Sequence, residues 1–444
     1  MNAATAAPAD DRVRKDNRRR ANSELRYLVL ALGAILVAYA LVGLAQSGVV
    51  PAGLAGYGGA MALLGLTGHL ATRRLAPGGD PVLLPVAFLL NGIGLVMVRR
   101  ISFSNTDVGD LGPSQTLWTV VGIGAFCATL VLVRDPIVLD RYRYLIGIGA
   151  IVLLLLPLAP GIGYEVNGAR IWLRLGSMSF QPGEIAKLAL VAFFASYLAE
   201  KRPLLSNATN RLGPFPVPAA RAAAPIALAW GVSLVVLVFE RDLGLSLLIF
   251  GLFVAVLYVA TDRLAYAVFG LLLFGGGSLV AWRLFGHVQD RVSTWLEPFA
   301  DANGDGFQLV QSLFALAAGR IGGTGLGQGR AADIIPEVEN DFIFAALGEE
   351  LGLLGSTALI LLFAVIVGRG FAIALRARDD FSTLLAAGLT ITFGLQVFII
   401  LGGVTRLIPL TGLTLPFMSA GGSSLLANYV LVALLVRVSA ASRA

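Results

Sequence analysis

Residues 286–312, GHVQDRVSTWLEPFADANGDGFQLVQS, open the one long polar interruption in a chain that otherwise consists of successive apolar stretches. The interruption continues to residue 340 and is rich in glycine. Apolar stretches long enough to cross a bilayer, at 263–285 and 341–368, flank it on both sides. The pattern predicts a membrane protein whose helices hold one large loop at a membrane surface.

The composition excludes a water-soluble globular protein. Of the 444 residues, 57% are hydrophobic and 14% are charged, and the mean hydropathy is +0.81. A soluble core cannot bury that much apolar surface, so the chain belongs in a bilayer. The single cysteine, Cys127, leaves no disulfide framework and no cysteine metal site. The net charge of +6 does not indicate nucleic-acid binding, because the basic residues are spread between the spans.

Hydropathy predicts an all-α polytopic membrane protein with about twelve transmembrane helices, since each crossing needs roughly 20 apolar residues. The expected spans are 27–46, 49–71, 81–98, 116–134, 142–159, 184–199, 223–239, 243–260, 263–285, 341–368, 381–403 and 411–436. We divide the chain into a basic tail at 1–26, two N-terminal helices at 27–71, a core at 72–438 and a short tail at 439–444.

The distribution of basic residues predicts the orientation. Residues 1–26 carry seven Lys and Arg side chains, which indicates a disordered cytoplasmic tail before a retained membrane anchor. With twelve crossings, most other Lys and Arg residues fall on the same side, as the positive-inside rule requires, although Arg99 and Arg100 do not. Both termini are therefore expected in the cytoplasm, and the 286–340 loop is expected outside.

Charged side chains at membrane depth are expensive, so each is a candidate either for function or for a structural ion pair. Glu184 and Lys187 lie three residues apart on one face of a predicted helix that begins near Pro182. Arg170 and Trp172 precede them, where a guanidinium and an indole could meet a phosphate and a sugar. Trp172 equally suits an ordinary aromatic anchor at the interface.

Three further polar groups interrupt apolar sequence. Arg241 and Asp242 stand at a junction between two spans, where a buried ion pair is the alternative to a binding role. Glu349 lies about two turns into an apolar helix, beside a second glutamate. Ser423 and Ser424 follow two glycines in a broken span, and broken helices at membrane depth commonly line a cavity.

The large loop contains two motifs that resemble other binding sites. DANGDG at 301–306 resembles the start of an EF-hand, but its twelfth position is Ser312 where a bidentate glutamate is required. GGTGLGQGR at 322–330 lacks the GxGxxG register, the Walker lysine and a preceding strand. We therefore expect neither a calcium site nor a nucleotide site in the loop.

What remains in the loop is one candidate acid, Asp301, with the amide side chains of Gln308 and Gln311. The glycines of the loop allow close approach of the backbone to a ligand. Asp301 is the candidate catalytic residue.

Six motifs occur in a fixed order between about residues 81 and 438. They are NGARIW, FQPGEIAK, RDLGLSLL, EPFADANGDGFQLVQSLFALAAGRIGGTGLGQG, NDFIFAALGEELGLLGS and TGLTLPFMSAGGSSLL. This order resembles the SEDS family (shape, elongation, division and sporulation), the RodA and FtsW membrane glycosyltransferases of bacterial cell-wall synthesis. Family members typically have a ten-helix core, so the first two helices resemble an N-terminal addition. That addition and the QPGEIAK motif favour the RodA-like branch over FtsW.

The resemblance implies polymerisation of lipid II into β-1,4 glycan strands at the outer face of the bacterial plasma membrane. Asp301 aligns with the family's essential loop aspartate, which implies a general base for the acceptor hydroxyl. Undecaprenyl pyrophosphate would be the leaving group. Candidates to bind it are Lys187, Arg170 and Arg241. A divalent cation, Mg²⁺ or Mn²⁺, is a further candidate to bind the pyrophosphate. A class B penicillin-binding protein, a transpeptidase, is the implied partner.

Two other functions remain open from the sequence. Broken helices and intramembrane charges would also serve a lipid II flippase, although a flippase needs no acid on a long Gly-rich loop. The chain could also be a non-catalytic scaffold for the penicillin-binding protein. Polymerisation by the purified protein, and its loss on Asp301→Ala, would separate these functions.

Overall fold

The computed structural model describes residues 9–104, 110–166, 168–176, 178–206, 210–212, 215–217, 224, 227–228, 230–232, 234–235 and 241–443. Helices make up most of these residues, as the hydropathy pattern predicts. The expected span at 223–239 lies largely outside the described residues.

The helices follow one another through mostly short connections. In chain order they are α1 Ala9–Ser47, α2 Leu54–Leu75, α3 Leu83–Ser104, α4 Gly112–Leu132, α5 Ile137–Arg141, α6 Arg143–Leu155, α7 Gly183–Ser206, α8 Leu243–Thr261, α9 Leu264–Leu284, α10 Gly286–Leu296, α11 Phe307–Gly319, α12 Ala331–Ile334, α13 Ile343–Ala374, α14 Asp380–Val404 and α15 Gly422–Ala441. A 3₁₀ turn, Leu156–Leu158, extends α6.

Eight helices in the described part of the chain are long and apolar enough to cross a membrane: α1, α3, α4, α8, α9, α13, α14 and α15. Helices α2, α6 and α7 occupy three more of the expected spans. Helix α6 with its 3₁₀ extension is short, and α7 carries five charged residues. The protein is therefore a multi-pass membrane protein, and the expected number of twelve crossings is not confirmed.

The basic tail differs from the expectation, because it is helical from Ala9 onward rather than disordered. Helix α1 has 39 residues, so it is about 58 Å long at 1.5 Å per residue and extends well beyond a hydrocarbon core. Asp16 Oδ2 accepts a hydrogen bond from Arg20 Nε at 2.9 Å, a pairing at i,i+4 that supports the exposed helical turns.

Helices α1 and α2 pack against each other and against α3, and α2 also packs against α4. The rings of Tyr39 and Tyr57 stack with centroids 4.4 Å apart. A glycine of α2, Gly65, allows close approach of Phe88 in α3, since a Cβ there would lie 3.3 Å from the ring. Small residues at such contacts let helices approach closely within a membrane.

Helix α14 lies at the centre of the remaining bundle, in contact with α7, α8 and α13, and α15 packs against α4. Helix α13 is broken at Gly352, which has φ 65° and ψ −168°. The break faces the chain that follows α11, because a Cβ on Gly352 would lie 2.2 Å from Gly323 N. We refer to the end of the bundle that carries residues 286–342 as the loop end.

Two small antiparallel sheets were not expected from hydropathy. Strands β1 Gly163–Val166, β2 Ala169–Leu175 and β3 Met178–Phe180 pair in that order, and β4 Asn210–Leu212 pairs with β5 Phe215–Val217. The Asn-Gly pair at 167–168 is the sequence signal for the first turn, since it favours a two-residue hairpin, and Gly168 has φ +80°.

Candidate functional site

Asp301 lies on a tight turn between α10 and α11, and its side chain is exposed. One carboxylate oxygen accepts a hydrogen bond from Gly304 N at 3.1 Å, and the other accepts one from Asp305 N at 3.1 Å. The Asp301 carbonyl accepts a further bond from Gly306 N at 3.0 Å. These bonds hold the carboxylate in one orientation while its exposed side remains accessible to a substrate.

The glycines of DANGDG serve this turn. A Cβ on Gly304 would lie 2.1 Å from Asp301 Oδ2, and a Cβ on Gly306 would lie 2.1 Å from the Pro298 carbonyl oxygen. A larger residue is therefore excluded at Gly306 by backbone, and at Gly304 it would push the Asp301 carboxylate out of its orientation. The turn contacts account for the glycines of this EF-hand-like motif.

The Asp301 turn is anchored to the loop end of α14 on both sides. Trp295 Nε1, in α10, donates to the Arg406 carbonyl at 3.1 Å, and Arg406 Nε donates back to the Trp295 carbonyl at 2.9 Å. On the other side, Ser312 Oγ of α11 donates to the Val404 carbonyl at 2.9 Å. Because each anchor reaches the same end of α14, the turn has a fixed position relative to the bundle.

Gln308 and Gln311 lie on α11 directly after the turn, three residues apart and so on one face of the helix. Both side chains are partly buried, and Gln308 Nε2 donates to the Pro336 carbonyl at 3.1 Å. Gln308 therefore ties α11 to the chain that leads into α13. Their binding roles stay predictions.

Glu184 and Lys187 form a buried pair inside the bundle. Lys187 Nζ lies 2.5 Å from Glu184 Oε2 and donates to Gln396 Oε1 at 2.7 Å. Gln396 Nε2 in turn donates to the Thr414 carbonyl at 2.9 Å. Glu184 is 2% exposed and Lys187 is 1% exposed, so the ammonium already has two partners and little access to a ligand. This central cluster links α7 to α14 and to the chain before α15.

Asp242 lies close to this cluster at the start of α8. Its carboxylate accepts from Leu245 N at 2.8 Å as the helix N-cap, and from Gln181 Nε2 at 3.4 Å. Gln181 N donates to Ser423 Oγ at 2.8 Å, which connects the same site to α15. Burial raises the pKa of Asp242 to about 6, and the Leu245 N–H partly opposes that shift.

Ser423 and Ser424 occupy the first turn of α15, and both are buried. Ser423 accepts the bond from Gln181 N described above. Ser424 contacts Asn428 instead, whose Nδ2 donates to the Ser424 carbonyl at 2.8 Å and to Ser424 Oγ at 3.3 Å. The two hydroxyls therefore have different partners. Ser423 is connected through Gln181 to Asp242, whereas Ser424 contacts Asn428.

Arg291 and Asp341 are two polar residues of this region that the sequence reasoning did not select. Arg291, in α10, donates from Nη1 to the Leu410 carbonyl at 2.8 Å. A Cβ on Gly412 would lie 3.9 Å from Asp341 Oδ2 and 4.0 Å from Arg291 Nη2. Both side chains therefore border Gly412. Burial raises the pKa of Asp341 to about 7, Glu337 adds to the shift and Arg291 opposes it.

Arg241 lies over the turn of the β1–β2 hairpin, since its Nη1 would lie 3.8 Å from a Cβ on Gly168. It is exposed and has φ 60°. Burial lowers the pKa of His287, and the neighbouring Arg241 and Arg291 lower it further. Arg241 and Arg291 therefore place positive charge beside His287 at the loop end.

Arg170 and Trp172 lie in β2 of that hairpin. Arg170 Nη2 is within 3.4 Å of the Ala159 carbonyl and 3.4 Å of the Gly163 carbonyl, so its donors support the hairpin. Trp172 is partly buried and stands opposite Tyr164 in the strand pairing. The structure thus gives Arg170 a local structural contact in addition to its predicted binding role.

Glu349 lies in the part of α13 before the break, and its contacts with other described residues involve neither the Asp301 turn nor the Glu184–Lys187 cluster. It is 5% exposed, and its Oε2 accepts from Arg330 N at 3.0 Å and from Ala331 N at 2.7 Å. The adjacent Glu350 pairs with Arg100 Nε at 2.8 Å. These contacts give the Glu349 carboxylate a structural role in holding the loop, and its substrate-binding role stays a prediction.

Comparison with known proteins identifies the family. The FtsW/RodA/SpoVE model, described as a cell cycle protein, matches residues 81–444. The chain belongs to this family. A relative named peptidoglycan glycosyltransferase RodA, from Mycobacterium tuberculosis (strain ATCC 25618 / H37Rv), is 48% identical over 429 residues, which are 96% of this chain and 91% of the relative.

Two other proteins extend the comparison. Stage V sporulation protein E of Bacillus subtilis (strain 168) is 37% identical over 381 residues, covering 84% of this chain and 100% of that protein. A chain in a solved peptidoglycan synthase complex, described as coordinating polymerization and crosslinking, gives a TM-score of 0.56 at 27% identity. That match covers 87% of this chain and 97% of the solved chain.

The family match starts at residue 81, so α1 and α2 lie outside it. The mycobacterial relative matches 96% of the chain, which leaves too few residues unmatched to omit both helices. The match to the mycobacterial relative therefore extends into α1 and α2, which the family model does not cover, and their assignment as an addition to the core stays a prediction.

Proposed function

We propose that this chain polymerises lipid II, with undecaprenyl pyrophosphate as leaving group, into β-1,4 glycan strands at the outer face of the plasma membrane. The chain is a peptidoglycan glycosyltransferase: relatives bearing that name are 48% identical to it over most of its length. The observation that carries the finer proposal is the exposed Asp301 carboxylate, oriented on a turn that is anchored to the bundle.

The reaction needs a base and a site for the departing pyrophosphate. The 4-hydroxyl of the acceptor N-acetylglucosamine attacks the anomeric carbon of the donor N-acetylmuramic acid, with inversion. Asp301 takes the hydroxyl proton as the new C–O bond forms, and the bond to the pyrophosphate oxygen breaks with its electron pair. Bound substrate would displace water from the carboxylate and so increase its basicity.

Positive charge at the loop end supports the leaving group. Arg241 is exposed, and Arg291 borders the same region with one guanidinium nitrogen directed toward Gly412. Guanidinium groups bind phosphate oxygens through two parallel hydrogen bonds. Lys187 and Arg170 are weaker candidates than the sequence suggested, because their donors already have partners within the protein.

A divalent cation would add charge to the pyrophosphate site as a Lewis acid. In the part of the chain that the structure describes, no three His, Cys, Asp or Glu side chains are grouped to hold a metal ion. The described residues therefore form no metal cage of their own.

The proposed orientation places both termini in the cytoplasm and the 286–340 loop outside, as the basic residues predict. A class B penicillin-binding protein is the proposed partner. Support comes from the resemblance to a chain of a solved synthase complex, whose described activities are polymerization and crosslinking.

The test compares two aspartates on the same turn. Asp301→Asn should lower polymerisation of labelled lipid II by the purified protein at least about a hundredfold, because it removes the base and keeps the side-chain shape. Asp305→Asn is the matched control, since Asp305 contributes its backbone N–H to the turn and that group is retained. Glycan strands would be read on a gel, with and without the penicillin-binding protein.

Unchanged polymerisation by Asp301→Asn would overturn the role of the aspartate. No polymer from the wild-type protein, combined with lipid II transfer across vesicles, would favour a flippase. Support of growth by Asp301→Asn in cells would favour a scaffold.

A further inference from the structure

We propose that α1 positions the glycine-rich segment of the loop, residues 322–330, and that turnover depends on this contact. Helix α1 would then act as a brace for the catalytic loop rather than only as a membrane anchor. The link to turnover rests on the proposed function of Asp301, whereas the contact itself does not.

The glycine-rich segment is bound to the break in α13. Thr324 N donates to the Glu349 carbonyl at 2.9 Å, and Gly325 N donates to the Glu350 carbonyl at 3.0 Å. In the other direction, Leu353 N donates to the Arg320 carbonyl at 2.9 Å. The backbone groups released by the broken helix are thus satisfied by the loop, as membrane depth requires.

A buried charge network closes around the same segment. Glu350 Oε2 accepts from Gly327 N at 2.7 Å, and its other oxygen lies 2.8 Å from Arg100 Nε. Arg100 also donates to the Gly329 carbonyl and to Asp333 Oδ1, the latter at 3.1 Å. Arg100 is 2% exposed and Glu350 is 1% exposed, so neither charge can leave this arrangement cheaply.

Helix α1 packs against the glycine-rich segment at Gly327. A Cβ on Gly327 would lie 2.8 Å from Ala45 Cβ and 3.3 Å from the Val42 carbonyl oxygen, so the backbones of α1 and the segment are in close contact. Gln46 Nε2 also donates to the Arg100 carbonyl at 3.4 Å. The last turns of α1 therefore touch both the segment and α3, which carries the central arginine of the network.

The segment continues from α11, and α11 begins at the Asp301 turn. Displacement of the segment would move the C-terminal end of α11 away from α13. The Asp301 turn is fixed before the aspartate by Trp295 and Arg406, and after it by the Ser312–Val404 bond, which lies within α11 and would be strained if that helix moved. A shift of α11 would thus change the orientation of the carboxylate, and misplacement by about 1 Å can reduce catalysis strongly.

The experiment is a double-mutant cycle between Gly327 of the segment and Ala45 of α1, with a second glycine of the segment as control. Gly325 and Gly327 have φ +105° and +83°, so alanine is strained at both positions. A Cβ on Gly325 meets only Gln328 Cγ, at 3.6 Å, whereas a Cβ on Gly327 meets Ala45 in α1. Gly325→Ala is therefore the matched control for backbone strain.

We expect Gly327→Ala to lower kcat about tenfold more than Gly325→Ala, with little change in KM for lipid II. In the Ala45→Gly background, which removes the opposing Cβ, the excess should fall below about threefold. An equal loss in both backgrounds, or no excess, would overturn the positioning role.

A second pair of variants covers the case in which Gly327→Ala does not fold. Ala45→Leu should push on the segment from the α1 side, and Ala34→Leu makes the same change at an exposed position of α1. We expect faster hydrogen exchange of the 322–330 amides and lower kcat for Ala45→Leu only. Equal exchange and turnover in both variants would overturn the contact.

The two proposals can fail separately. If Asp301→Asn polymerises lipid II normally while Ala45→Leu still accelerates exchange of the segment, the assignment of Asp301 fails and the α1 contact stands. If Asp301→Asn is inactive while Ala45→Leu and Ala34→Leu are alike, the assignment stands and the α1 contact has no positioning role.

Discussion

Glu184 and Asp301 are both acids in polar regions of this protein, but their surroundings differ in kind. Glu184 is 2% exposed and its charge is matched by Lys187 at 2.5 Å, with Gln396 completing the cluster. Asp301 is exposed, and among the described residues its carboxylate is oriented by backbone N–H groups of its own turn. The first carboxylate has its partners within the protein, and the second remains accessible for a substrate.

The difference follows from the cost of moving charge out of water. A buried carboxylate without a partner costs several kcal/mol, so Glu184 has to be paired before any substrate arrives. An exposed carboxylate keeps its hydration and loses it only when a ligand covers it. We infer that the central cluster stabilises the bundle and that the loop aspartate serves the chemistry.

The largest expected effect tests the central cluster. Lys187→Met leaves Glu184 buried without its ammonium and should lower the free energy of unfolding by about 3–5 kcal/mol. The measurement is the thermal unfolding midpoint of the purified protein in detergent. The double variant Glu184→Gln/Lys187→Met should regain most of the loss, because no unpaired charge remains.

Lys201→Met on the same helix is the matched control. Lys201 pairs with Glu200 at 2.5 Å, but this pair is 30% and 42% exposed and is screened by solvent. Its removal should leave the unfolding midpoint unchanged. Equal midpoints for Lys187→Met and Lys201→Met would show that the central cluster contributes no more than a surface pair.

An intermediate effect concerns the pH dependence of stability contributed by Asp341, which lies just before the start of α13. The pKa of Asp341 is about 7 in the folded protein against an ordinary value of 3.8. Between these values the unfolded chain has released its proton while the folded chain retains it. The contribution of Asp341 to stability is therefore fully present below about pH 4 and is lost as pH rises to about 7.

Asp341→Asn should remove this pH dependence. Relative to wild type, the variant should gain stability between pH 5 and pH 8, measured as the difference in unfolding midpoint at each pH. The difference is the relevant quantity, because Asp242 also has a raised pKa and contributes to both proteins. Parallel pH profiles would contradict the assignment.

The smallest expected effect tests the hydrogen bond between Gln181 and Ser423, which connects the chain just before α7 to α15. Ser423→Ala removes the acceptor of the Gln181 N–H bond at 2.8 Å and should cost about 1 kcal/mol of stability. Ser424→Ala should cost less, because Asn428 keeps its bond to the Ser424 carbonyl. A larger loss for Ser424→Ala would reverse this ranking of the two serines.

Much of the fold was predictable from the sequence. Apolar stretches of about 20 residues predicted the helical membrane class, and the order of motifs predicted the family. The helical spacing of Glu184 and Lys187 placed both on one face, where the structure has them paired. These predictions depend on composition and on short-range periodicity, which a sequence contains directly.

Other features could not be predicted from the sequence. Glu349 and Glu350 are neighbours of the same type and both accept backbone N–H groups of the loop, yet Glu350 also pairs with Arg100. Arg291 was not selected because its role depends on contacts with chain segments far away in sequence. The prediction of a disordered basic tail was also wrong, because the tail is helical from Ala9 onward. Its arginines had suggested disorder.

The sequence by itself determined that this is a helical membrane protein with one large polar loop, since hydropathy and motif order are local properties of the chain. The tertiary structure decided which charge meets which partner. In the folded protein the end of α1 contacts Gly327, Arg100 pairs with Glu350, and Asp301 is exposed on an anchored turn. The physical reason is that a buried charge must be satisfied by whatever packing brings beside it, and packing is a property of the whole bundle.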